Sequence, residues 1–182
     1  TLLEDFIHAA QELEREGVRA ISGACGYFAN FQKELAEHLS VPVFMSALIQ
    51  APWIKASLKS DQKIGVICAK GDSVTPKMLD AVGITDPSYL VFKGLEDTKE
   101  FGALVHCTKF EFNNAAVRKE VVNAAKKLAE ENNLGAILLE CSDLPPYAAD
   151  IQRAVNLPVF DYISLHNWMH HAVAQKRYQG FV

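Results

Sequence analysis

Val18-Arg19-Ala20-Ile21-Ser22-Gly23-Ala24-Cys25-Gly26 is answered 116 positions later by Leu134-Gly135-Ala136-Ile137-Leu138-Leu139-Glu140-Cys141-Ser142. The same offset lays Pro42-Val43-Phe44 on Pro158-Val159-Phe160, so each cysteine precedes its proline by 17 residues without a gap. An internal repeat means one structural unit used twice. The unit reads as strand, cysteine-bearing turn, helix, short strand. Two such units facing each other present two thiols to one cleft, an arrangement suited to chemistry on both faces of one carbon.

Working outward, residues 2–16 predict a helix with Leu2, Leu3, Phe6, Ile7, Ala10 and Leu13 on one face, stopped by Gly17. A second helix is expected over 27–39, a short strand over 41–44 and a further helix to about Leu58. Lys63 to Ala69 is a buried strand, and Thr75-Pro76 reads as an N-cap followed by a first helical proline. A strand is placed at 88–92, and residues 94–113 show no period and read as irregular. Asn114 to Asn132 is a long helix with Val117, Val121, Ala124, Ala125 and Leu128 inward. Leu134 to Leu139 is a buried strand; a helix, a short strand at 157–160 and a last helix to about 175 follow. Alternating helices and apolar strands predict an α/β fold of mainly parallel sheets flanked by helices, arranged as two pseudo-symmetric lobes with a cleft between them. The first lobe is assigned residues 1–60 plus the C-terminal helix 161–182, the second 61–160. The 63–69 strand precedes the second repeat and has no counterpart before the first, so the repeat predicts a strand ahead of Thr1.

Composition narrows the class. A net charge of −4 without a basic cluster argues against a nucleic-acid partner. No apolar run reaches the roughly 18 residues that span a membrane, and no signal peptide is read, so the expectation is a cytoplasmic protein. The four cysteines, at 25, 68, 107 and 141, contain no CxxC pair and make neither a disulfide scaffold nor a zinc ribbon.

Ligands of open α/β sheets bind at the carboxyl ends of the strands. Cys25 and Cys141 both stand there, each just before an expected helix, whose free N–H groups would lower a thiol pKa toward neutrality. The plain alternative is two small buried residues recurring through shared ancestry. The matched positions, one beside Gly26 and the other beside Ser142-Asp143, favour function.

These segments resemble the aspartate/glutamate/hydantoin racemase superfamily: Ser22-Gly23-Ala24-Cys25-Gly26-Tyr27-Phe28, Leu139-Glu140-Cys141-Ser142-Asp143-Leu144-Pro145-Pro146-Tyr147-Ala148 and Pro158-Val159-Phe160-Asp161. The resemblance implies two lobes, no cofactor, no metal and a two-base racemase or epimerase. One cysteine as thiolate removes the α-proton of an amino acid or derivative, and the other as thiol protonates the opposite face. Cys25 and Cys141 match the family's two cysteines. Gly26-Tyr27 stands where amino-acid racemases of this kind often carry Asn-Thr to hold the substrate carboxylate. With that change a bulkier or cyclic, hydantoin-like substrate stands on equal terms with plain aspartate or glutamate. Ser142 replaces a usual Thr, and Asp143 is placed to tune Cys141 or bind an ammonium group. Ser73 and Thr75 lie in the strand-to-helix loop where the family holds a carboxylate, with helix capping as their plain alternative. Assembly into a homo-oligomer is compatible with the resemblance.

Two rivals use the same scaffold. A related decarboxylase or cis–trans isomerase would use the thiols differently, and a non-catalytic small-acid binding module would not activate them. Asp161 follows a strand end but is paired by the repeat with Met45. Cys68 reads as core, and Cys107 receives no role. His166 and His170 have a metal-ligand spacing but no carboxylate companion.

Overall fold

The computed structural model describes residues 1–108 and 111–180. Two residues of the 94–113 stretch and the last two of the 161–182 segment therefore lie outside the described residues.

Helix α1 (Leu2–Arg15) is closed at its start by a capping box between Thr1 and Glu4. It lies over β1 (Ile21–Ser22) and β2 (Val43–Phe44), which pair in parallel. Phe6 stacks on Phe31 and meets Phe28 edge-on, both at 4.8 Å between ring centroids. The expected 27–39 helix is divided: a 3-10 turn over Gly26–Phe31 leads into α2 (Gln32–His38). The tighter turn places Phe28 and Phe31, three residues apart, on one side against Phe6. After β2, a 3-10 turn (Ala47–Gln50) runs into α3 (Ala51–Ala56).

The second sheet has the order β4-β3-β5-β6, all parallel, from β3 (Lys63–Cys68), β4 (Leu90–Gly94), β5 (Leu134–Leu139) and β6 (Val159–Phe160). Every residue of β5 is buried, as a parallel strand covered on both faces must be. Full burial of each such aliphatic side chain stabilises the fold by about 1.5–3 kcal/mol. One face is covered by α6 (Asn114–Glu131) and α7 (Ala148–Val155) through Val117, Val121, Ala125 and Ile151. The other face meets the first sheet's elements through Ala47, Leu48, Ala51 and Ile54, together with α4 (Pro76–Ala81). Helix α5 (Phe101–Val105) lies inside the stretch read as irregular; five residues are too few for a helical period to be visible in sequence. Helix α8 (Tyr162–Val173) leaves β6 and lies against the first sheet, Trp168 meeting Phe44 edge-on at 5.7 Å.

The repeat is visible in the hydrogen bonds. Ile21 pairs with Val43 and Ile137 with Val159. The Ile21 amide donates to the Pro42 carbonyl at 3.0 Å, and the Ile137 amide donates to the Pro158 carbonyl at 2.9 Å. Each of these positions is related to its mate by the 116-residue offset. No described helix is long and apolar enough to cross a membrane.

Candidate active site

The cysteines follow the two equivalent strands, β1 and β5, and their turns are built alike. The amide of Phe28 donates to the Cys25 carbonyl at 3.0 Å, and that of Leu144 to the Cys141 carbonyl at 3.2 Å. The amide of Tyr27 faces the Cys25 sulfur and that of Asp143 faces the Cys141 sulfur. In each case the donor is two residues beyond the thiol.

The two turns clasp each other. Ser142 Oγ donates to the Ala24 carbonyl at 2.7 Å. On the other side of the cysteines, Gly26 lies against Glu140, so closely that a Cβ on Gly26 would stand 1.8 Å from Glu140 Oε1. The residue after each cysteine thus touches the residue before the other. Cys25 and Cys141 are both half-buried, free thiols, near enough for charge on Cys25 to bear on Cys141.

The electrostatics differ from the expectation of thiols lowered toward neutrality. Burial, first, pushes Cys141 up to about 12, with Asp143 and Glu140 adding to the rise. Cys25 also rises, through burial and then the same two carboxylates. The backbone amides do favour the thiolates, but desolvation outweighs them. Neither thiol stands at the start of an α-helix: Cys25 is followed by the 3-10 turn Gly26–Phe31, and the 3-10 turn Pro145–Tyr147 begins four residues beyond Cys141. The Cys141 thiol instead points toward Asp143 Oδ2 at 3.9 Å.

The other candidates separate into groups. Ser142 and Asp143 border open cavities on either side of the Cys141 turn. One, of about 700 Å³, is lined by Ser22, Ala24, Ser142, Pro145, Tyr162 and His166 among others. The second, about 740 Å³, is lined by Asp143, Pro146, Tyr147 and Phe101 among others. Tyr27 turns its hydroxyl onto the loop after β3, donating to the Lys70 carbonyl at 2.9 Å and accepting from the Lys70 amide at 2.8 Å. Thr75 accepts from the Met78 amide at 3.3 Å and caps α4, and Ser73 is directed to Asp72. Neither Ser73 nor Thr75 lines these two cavities. Asp161 accepts from the Ser164 amide at 2.7 Å and caps α8. Cys68 is fully buried at the end of β3, and Cys107 is exposed. His166 pairs with Ser22 Oγ at 2.8 Å, which already donates to the Phe44 carbonyl at 2.9 Å. The described residues contain no group of three His, Cys, Asp or Glu side chains suited to a metal ion.

Two side chains, Tyr162 and Glu140, join the site without having been singled out from sequence, and a third, His166, was noticed there only for its spacing from His170. Tyr162 and His166 come from α8, more than a hundred residues from Cys25 in the chain, and nothing local in the sequence ties them to the cysteines. Glu140 did carry a local signal: it ends a strand whose other residues are all apolar. It is 1% exposed and its Oε1 has no hydrogen-bond partner. Burial raises its carboxyl to about 7.

Comparison with known proteins bears on the family and the fold. The profile of a family described as Asp/Glu/Hydantoin racemase matches residues 3–170. Dimethylsulfoniopropionate lyase 3 of Emiliania huxleyi (strain CCMP1516) is 34% identical over 171 residues, covering 90% of this chain and 45% of that protein. The dimethylsulfoniopropionate lyase of Durusdinium sp. clade D is 35% identical over 167 residues, covering 88% of this chain and 54% of its own. The chain thus spans about half the length of these curated relatives. Among solved structures, allantoin racemase from Klebsiella pneumoniae superposes with a TM-score of 0.61 at 16% identity, covering 99% of this chain and 74% of that one. At that identity the likeness is one of fold.

Proposed function

The chain belongs to the Asp/Glu/Hydantoin racemase family, and from that premise we propose that it is a lyase. It would take the α-proton of a small carboxylate whose β-carbon carries a cationic sulfur leaving group, with dimethylsulfoniopropionate as the first substrate to test. Racemisation, which the paired cysteines alone put first, becomes the second reading.

One observation carries this choice beyond the relatives' names. The charged side chains that bear on both thiols are carboxylates, Glu140 and Asp143. Such a site suppresses its own thiolates and favours a ligand that brings positive charge. A cation within about 4–6 Å of an acid lowers its pKa by roughly 1–3 units. A sulfonium would therefore promote ionisation of the base that attacks it.

The step balances without a co-reactant. A thiolate takes the proton from the carbon beside the carboxylate. The C–H electron pair becomes the new C=C bond. The bond from the β-carbon to sulfur breaks, and its electron pair leaves on sulfur as neutral dimethyl sulfide. Acrylate and a protonated thiol remain. The leaving group needs no proton, so one thiolate suffices. Cys25 is assigned as that base because the Cys141 thiol is held toward a carboxylate, Asp143 Oδ2 at 3.9 Å, in the resting site. Cys141 stays a thiol and donates its S–H toward the charge that develops on the substrate carboxylate.

The test is dimethyl sulfide release from dimethylsulfoniopropionate, followed by headspace gas chromatography, with acrylate measured by NMR. Equimolar products are expected. Cys25→Ala should lower turnover by about 10²–10⁴-fold, the range of a lost general base. Undiminished release by Cys25→Ala would overturn the assignment. Absence of release, with α-proton exchange of an enantiopure amino acid or hydantoin in D₂O, would favour racemisation instead.

A further inference from the structure

Glu140 has no part in the step just written, yet it is the most deeply buried carboxyl beside the cysteines. Three geometric facts locate it. It adjoins Cys141 at the end of β5, where its own amide donates to the Ile67 carbonyl at 2.8 Å. Its carboxyl lies against Gly26, filling the space a Cβ would need next to Cys25. Its Oε1 is sealed from solvent and has no hydrogen-bond partner. No ion pair among the described residues includes it. A carboxyl so placed has nothing to offset a negative charge and little water to screen one.

We propose that Glu140 is a positioning residue that governs how readily Cys25 and Cys141 ionise, acting from between the two cysteine turns. The inference rests on the reading of these cysteines as the reacting groups. When Glu140 is neutral the thiolates form more easily; when it is ionised its charge opposes them. The groups facing it come from every neighbouring element: Cys25 and Tyr27 from the first turn, Cys68 from the end of β3, Cys141 beside it and Tyr162 from the start of α8. All five are acids whose ionisation its charge opposes. Asp143 adds negative charge beyond Cys141, as do Glu96 and Asp72 near Cys68. Burial holds the Glu140 carboxyl near neutrality, so its charge appears across the interval in which thiolate would otherwise grow tenfold per pH unit. The result is a site whose thiolate content climbs less steeply with pH.

Glu140→Gln keeps the shape and removes the charge. The measurement is iodoacetamide alkylation of Cys25 and Cys141, each resolved by peptide mass spectrometry because Cys68 and Cys107 are also free thiols. At pH 6, where Glu140 is largely neutral, the variant and native rates should agree. At pH 8 the variant should react about threefold faster or more, the equivalent of a half-unit fall in thiol pKa. A purely structural role would give a ratio that does not change with pH, and that result overturns the proposal. A second measurement needs only the native chain. The infrared carbonyl stretch of a protonated, buried carboxyl should disappear between pH 6 and 8. If no such band titrates there, the proposal is likewise overturned. Both readouts are independent of turnover. A pH-dependent ratio together with no dimethyl sulfide release by the native chain would leave the coupling standing and remove the lyase reading, whereas undiminished release by Cys25→Ala would remove only Cys25 as the base.

Discussion

At the scale of single residues, Glu140 and Gly26 form a pair that links stability to chemistry. A carboxyl whose pKa rises from 4.5 in the unfolded chain to about 7 in the fold contributes stability that is fully present below pH 4.5. That contribution is lost as pH rises to about 7, because the unfolded chain ionises first. The loss should reach roughly 3 kcal/mol for a shift of this size. Urea unfolding of the native chain at pH 4.5, 5.5 and 7 should follow this fall, and Glu140→Gln should flatten it. Gly26 is tied to the same carboxyl. A methyl group there would also meet the Glu140 carbonyl oxygen at 2.6 Å, which no rotamer change relieves. Gly26→Ala should therefore destabilise the chain by about 1–3 kcal/mol, as overpacking does, read as a lower urea midpoint. The apolar run before Glu140 made its burial legible in sequence. Its influence on a cysteine 115 positions away was not.

At the scale of elements, local chemistry was read well where a cap or a long period announces itself. Thr75-Pro76 opens α4 as expected, with the threonine hydroxyl on the Met78 amide. This geometry separates capping from substrate binding. Thr75→Ala should cost about 1 kcal/mol in stability and leave the KM for dimethylsulfoniopropionate unchanged. A large rise in KM with unaltered unfolding would instead return Thr75 to the site. Short elements were harder to read. Strands β1, β2 and β6 have two residues each, and α5 has five. Over such lengths no period exists to be seen, and the packing against neighbours selects the conformation. The same limit applies to the 3-10 turn after Cys25, where three phenylalanines meeting at one place favour the tighter winding.

At the scale of the whole molecule, the site exists only where the halves of the chain meet. Ser142 joins the Cys141 turn to the Ala24 carbonyl beside Cys25. Helix α8 carries Tyr162 and His166 from the end of β6 to the first sheet, with the Tyr162 hydroxyl on the Met45 carbonyl at 3.3 Å. Gln50 ties the start of α8 by donating to the Asp161 carbonyl at 3.0 Å. Ser142→Ala removes the clasp without touching a thiol. Stability should fall by only about 1 kcal/mol, the net value of one hydrogen bond. Turnover should fall by on the order of tenfold or more, because small misplacements of a reacting group are costly. Parallel measurement of unfolding and dimethyl sulfide release checks this; losses in proportion would place Ser142 in the scaffold alone.

The sequence by itself determined the α/β class and the doubled unit, whose strands the fold pairs alike, Ile21 with Val43 and Ile137 with Val159. It also singled out the two cysteines. Only the tertiary structure decided their ionisation. From sequence, each thiol stands at the start of a helix and should be acidified. In the fold, burial and the carboxylates of Glu140 and Asp143 raise both thiols instead. Desolvation and charge–charge energy depend on every atom within several ångströms, and those atoms come from both halves of the chain.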